Sequence, residues 1–162
     1  MKYLGILLAL LLVLGAALIL AGQLGFLTGQ TPADLGVRDG RLRPPSNTPN
    51  SVSSQAALYP DHPQRAYAAI SPLAYTGNGE AAMQGLAAMV QATPRCILVT
   101  KQADYLYAQC STALLRFTDD VEFWLDAKAG VVQLRSASRL GQSDLGVNRA
   151  RIEAIRAQFI KN

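Results

Sequence analysis

Histidine is nearly missing from this chain: His62 is the only one. Histidine is the usual base for an activated nucleophile and the commonest metal ligand, so both chemistries have little to build on. A Ser/His/Asp triad would have to run through His62, which stands between Pro60 and Pro63. No Gly-x-Ser-x-Gly elbow, phosphate-binding loop or dinucleotide fingerprint occurs. No cofactor or metal is expected, and no catalytic residue stands out. Charge is scarce as well, at 16% of residues, and from Leu4 to Gly22 it is absent.

That uncharged run is the strongest signal present. As a helix it is about 28 Å long, close to the thickness of a hydrocarbon core. It has no polar stripe, which a helix covering a soluble core would show. It exceeds the usual apolar core of a signal peptide, and Ile19-Leu20-Ala21 supplies a small residue only at the last position of a cleavage site. No cysteine stands near its end to carry a lipid. The preferred reading is an uncleaved single-pass anchor, with a cleaved, secreted product as the alternative. Lys2 precedes the run and no charge follows it until Asp34. The positive-inside tendency then puts the body on the exported side, periplasmic if the source is bacterial.

Three stretches follow: 1–27 as anchor or signal, 28–64 as linker and extended lead-in, and 65–162 as one α+β domain. The middle stretch is rich in Gly, Pro, Ser, Thr and Asn. Ile70 to Tyr75 reads as a short edge strand because Pro72 cannot donate to a ladder. Ala82, Met83, Leu86, Met89 and Val90 recur at helical spacing after the break at 77–79. Two hairpins are expected, 96–100 with 104–112 and 120–126 with 131–137. A closing helix spans about Asp144 to Phe159, with Leu145, Ile152, Ile155 and Phe159 as its apolar stripe and Ser143 or Asp144 as cap. The order β-α-β-β-β-β-α predicts an antiparallel sheet of four to five strands with helices on one face. The other face is expected to stay open to water or ligand.

The two cysteines, Cys96 and Cys110, flank the turn of the first hairpin. A hairpin centred on Ala103 sets them directly opposite, whereas a one-residue slip sends them to opposite faces. An exported compartment permits a disulfide. Two small buried thiols are the commoner outcome for such a pair.

In the second hairpin, Val121, Phe123 and Leu125 share one face with Val132 and Leu134. The other face carries Asp120, Glu122, Trp124 and Asp126 with Gln133 and Arg135, and Glu122 lies opposite Arg135 as a cross-strand ion pair. Tyr105 and Tyr107 join Trp124 there, as ordinary strand composition or as a stripe for a flat ligand.

The net charge is +4, and five arginines fall between Arg135 and Arg156. Arg135, Ser136, Ser138 and Arg139 leave the last strand, and Asn148 and Arg149 ride the first turn of the closing helix. Guanidinium forks, hydroxyls and free helix N–H groups suit a phosphate or carboxylate. Asn50 and Ser53, from a turn-rich stretch, can line the same pocket. Against this, Asp144 sits where it can occupy the helix-start donors, and the same residues can form a buried structural network.

The stretches TPNSVSS at 48–54, DDVEF at 119–123 and RSASRLGQSDLGVNRARIE at 135–153 together resemble the DUF1499 family of uncharacterised bacterial and plastid proteins. The resemblance runs from about residue 35 to the C-terminus. It implies no activity. Members often carry cysteines around the Pro-Asn of the first stretch, but Pro45 and Ser51 stand here, so no thiol role transfers.

The expected partners are the membrane and an anionic small molecule or phospholipid head group, with nucleic acid excluded by an exported location. The expected function is ligand binding through Arg135, Ser136, Ser138, Arg139, Asn148, Arg149, Asn50 and Ser53. A hydrolase using Asp120 or Glu122 as base, or a purely structural envelope protein, are the alternatives.

Overall fold

The computed structural model describes residues 2–160. It opens with an apolar helix of membrane-span length, α1 (Lys2–Gln23), none of whose most apolar window is buried. Beyond it lie β1 (Ser51–Ser53), a 3-10 turn (Ala56–Leu58), α2 (Arg65–Ala68), β2 (Leu73–Ala74), α3 (Gly79–Ala92), β3 (Cys96–Lys101), β4 (Tyr105–Ser111), β5 (Thr118–Asp126), β6 (Val131–Ser138) and α4 (Val147–Phe159).

The strands form one antiparallel six-stranded sheet in the order β1-β6-β5-β4-β3, with β2 also pairing β6. The mixed α+β class and the antiparallel sheet agree with expectation. The sixth strand is β1, three residues in the stretch read as linker, and it shares one edge of β6 with β2, which falls within the expected 70–75 edge strand.

Alternation decides which residues make the core. Val121, Phe123, Val132 and Leu134 point to one face, where Met83, Leu86 and Val90 of α3 and Ile152 and Ile155 of α4 cover them. Burial of each large side chain contributes about 1.5–3 kcal/mol. Asn78 caps α3 by accepting from Ala81 N at 3.1 Å, and Thr93 ends it one residue before Pro94.

The β3–β4 hairpin pairs Cys96 with Cys110, and the two form a disulfide. The expected outcome of two free thiols is thereby corrected. At this end of the hairpin the register is centred on Ala103 and brings their Cα atoms to 4.0 Å, while an irregularity between Leu98 and Thr100 shifts it by one nearer the turn.

Two further expectations are corrected. The second face of the sheet is not open. Residues 29–44 cross it as a strap: Gly36 N donates to Glu122 Oε1 at 2.8 Å, Arg135 Nε to the Pro44 carbonyl at 3.1 Å, and Leu42 N to Gln55 Oε1 at 2.8 Å. Midway the strap folds on a two-residue turn. Arg38 and Arg41 exchange backbone hydrogen bonds while Asp39 and Gly40 take φ of 51° and 69°, the type I′ pattern that Asp-Gly favours. Polar residues fill this face, so their buried backbone and side-chain partners must come from a chain segment rather than from an apolar helix.

Leu145 is not part of the α4 stripe: it is 92% exposed with φ of 51°. The Asp144 carboxylate folds back to accept from Gly146 N and Asn148 N at 3.1 and 3.0 Å. This local turn competes with helix and delays α4 to Val147.

Candidate functional site

One cavity of about 590 Å³ gathers residues from all three sequence stretches. Thr48 and Asn50 come from the first, Asp120 from the second, and Arg135, Ser138, Arg139 and Gly141 from the third. The strap closes it with Arg43 and Pro44, and His62 completes the lining. The volume is in the range of small-molecule sites.

Strand alternation explains the convergence. Arg135 and Ala137 share the strap-facing side of β6, Arg139 follows just past its end, and Asp120 stands opposite Ala137 on β5. Arg139 grips Asp120 through both Nε and Nη2, the latter at 2.7 Å. Tyr107 donates its hydroxyl to the same carboxylate at 2.7 Å. Burial and Asp120 push the Tyr107 hydroxyl above its ordinary range, while the Asp120 carboxylate raises Arg139 further. Both carboxylate oxygens of Asp120 are thereby taken up by protein donors.

Arg135 is nearly fully enclosed, 3% exposed, with Glu122 Oε2 at 4.0 Å. Burial lowers the guanidinium's pKa, and Glu122 opposes that. Glu122 itself is fully buried, bonded by Gly36 N and the Tyr105 hydroxyl, and does not line the cavity. Burial and Glu122 push the Tyr105 hydroxyl far up. Arg43 reaches outward to Asp34, Nε to Oδ2 2.9 Å.

Arg43, Arg135 and Arg139 line the cavity with one carboxylate, Asp120, while Asp34 and Glu122, the partners of Arg43 and Arg135, stand outside the lining. Asn50 adds a buried acceptor: its Nδ2 donates to the Gly141 carbonyl at 2.9 Å, while Oδ1 has no partner. His62 Nδ1 accepts from Gln64 N at 3.2 Å, which leaves the neutral ring's proton on Nε2 as a donor.

Of the eight residues expected to form the site, Asn50, Arg135, Ser138 and Arg139 line this cavity. Ser136 and Asn148 lie on the helix side of the sheet and bond each other. Asn148 also donates to the Asn50 carbonyl, Ser138 and Asp144, and accepts from Arg151. Arg151 in turn pairs with Asp119. Arg149 donates to the carbonyls of Tyr67 and Ala69. Ser53 is buried and accepts from Gln55 N. None of these four lines the cavity: Ser136 and Asn148 tie β6 to α4, Arg149 ties α4 to the end of α2, and Ser53 bonds within the segment after β1. Asp144 does occupy the helix-start donors. Burial alone would raise its carboxyl, but hydrogen bonds from Tyr67, Asn148 and Gly146 hold it below its usual value.

Arg43 and His62 were missed. Arg43 sits in a stretch that reads as linker, with no periodicity to mark it as part of a site. The lone His62 was visible, but its neighbours in space come from residues 43–50 and 120–142.

Among the described residues no cluster of three or more His, Cys, Asp or Glu could hold a metal ion. A family model described as "Protein of unknown function (DUF1499)" matches residues 41–159. No curated protein and no solved structure matches the chain.

Proposed function

This chain belongs to the DUF1499 family, and since that description names no activity, we propose from the geometry that it is a membrane-tethered binding domain for a phosphate-bearing or carboxylate ligand. The observation that carries the proposal is that Arg43, Arg135 and Arg139 line one cavity to which Asp120 contributes the one lining carboxylate, the partners of Arg43 and Arg135 lying outside the lining. A phosphate oxygen can accept from Arg43 and Arg135, and a ligand hydroxyl can donate to Asn50 Oδ1. Phospholipid head groups and their soluble phosphoesters both fit that pattern. Export of the domain is supported by Lys2 ahead of α1 and by the Cys96–Cys110 disulfide, which persists in oxidising compartments. The hydrolase alternative has less support, because Glu122 is shut away from the cavity and Asp120 is clamped by two donors.

Arg43→Gln tests the reading. Arg43 is part-exposed and its ion pair is a surface one, so stability should hardly change. Titration of the detergent-solubilised full chain with sn-glycerol 3-phosphate should show association in the wild type. Loss of one charge-assisted hydrogen bond should weaken it about tenfold or more in the variant. Equal affinity in the two proteins, or no association in the wild type, sinks the proposal.

A further inference from the structure

A second cavity, of about 360 Å³, lies where α1 meets the sheet, and it shares no lining residue with the first. Arg95 and Arg116 line it, together with Gly22, Gln23, Thr28 and Ser111. We propose that this cavity binds the phosphate of a membrane phospholipid, held between Arg95 and Arg116. The inference goes beyond the first cavity and rests on the reading of α1 as a retained anchor.

The end of α1 is fastened to the β4–β5 turn. Gln23 Nε2 donates to the Leu114 carbonyl at 2.9 Å, and Arg116 Nε donates to Gln23 Oε1 at 3.1 Å. Gly22 is required for this approach, since a Cβ there would lie 2.4 Å from the Leu115 carbonyl oxygen. The turn and the cavity are thus held at the level where the apolar helix ends. In a bilayer that is the level of the phosphates.

The arginines of the two cavities differ in their partners. Arg43, Arg135 and Arg139 each have a carboxylate. Among the described residues neither Arg95 nor Arg116 forms an ion pair. Arg116 bonds Gln23, and no side-chain partner is found for Arg95. Both carry positive φ, 62° and 57°. For a residue with a Cβ that conformation costs about 1–2 kcal/mol, and glycine would avoid it. Two unpaired guanidinium groups are thus presented from strained turns into one cavity. Exposed Leu24, Phe26 and Leu114 lie in the adjoining segments. They supply the apolar surface that acyl chains and the interface would cover.

The test uses the full chain in detergent, mixed with phosphatidylglycerol and read by native mass spectrometry. The wild type should retain one phosphatidylglycerol, and the double variant Arg95→Gln, Arg116→Gln should retain it about tenfold less. Should Arg116→Gln loosen the α1 contact, Arg95→Gln alone must still show a loss, because its side chain holds nothing else. Lys128→Gln, at an exposed turn position that lines neither cavity, should leave lipid retention unchanged, and Arg95→Gln should leave the association with sn-glycerol 3-phosphate unchanged, which separates this site from the first cavity. Inorganic phosphate offered to lipid-free protein should bind far more weakly than the lipid. If it binds as well, the ligand is a soluble phosphate and the lipid assignment falls. Unchanged retention in both arginine variants overturns the proposal, as does an intact mass lacking residues 1–23.

Discussion

Arg139 and Arg156 are both paired with carboxylates, yet their environments set very different stakes. The Arg139–Asp120 pair is 6% and 2% exposed, whereas Glu153, the partner of Arg156, is 50% exposed. Removing one member of a buried pair strands the other without water. Arg139→Ala should therefore cost about 3–5 kcal/mol, measured by urea denaturation. Glu153→Ala, as control, should cost less than about 0.5 kcal/mol. A near-neutral Arg139→Ala would mean that Asp120 stays solvated. The pairing across β5 and β6 is legible in the sequence, because a period of two and the hairpin register set Glu122 against Arg135. The reach of Arg139 onto Asp120 is not, since Arg139 lies past the end of β6 and its direction depends on the strap above it. Nothing in the neighbourhood of Arg43 marks it either, because its site partners are far along the chain.

At the level of elements, the β3–β4 hairpin carries the clearest consequence. The Cys96–Cys110 disulfide closes a loop of sequence separation 14 across directly paired residues. Replacing both cysteines by alanine should cost about 2–3 kcal/mol, read as a lowered urea midpoint. An unchanged midpoint would show that the hairpin's own ladder already confines the unfolded chain. Long periodic elements, α3 and the paired strands β3 to β6, were readable because each spans enough residues to display its period. Helix α4 was readable in type but not in its start: a side chain, Asp144, rather than the apolar pattern, decides where it begins. Strand β1 offers three residues, too few for any pattern, whereas β2 was legible as an edge strand through Pro72 but shrinks to Leu73–Ala74. The Asp39-Gly40 turn was a local signal inside a stretch whose composition reads as linker.

At the scale of the whole molecule, the sheet has two unlike coverings. The helices cover one face with apolar side chains. The strap covers the other by meeting charged groups one at a time. If the strap is integral, the amides of Gly36 and Leu42 should exchange hydrogen as slowly as those of β5. Exchange at the rate of an unbonded loop would show that it lifts independently. The strap's bonds to β5, β6 and Arg139 join residues 86 to 110 positions apart: Gly36 to Glu122, Pro44 to Arg135, Gly29 to Arg139. Synthesis and assembly therefore run in opposite order. The first segment made after α1 has no sheet to lie against until β5 and β6 have been made and paired. While the chain is being completed, Asp120 and Glu122 still face water, and the part of the protein born early is the part that takes its place last.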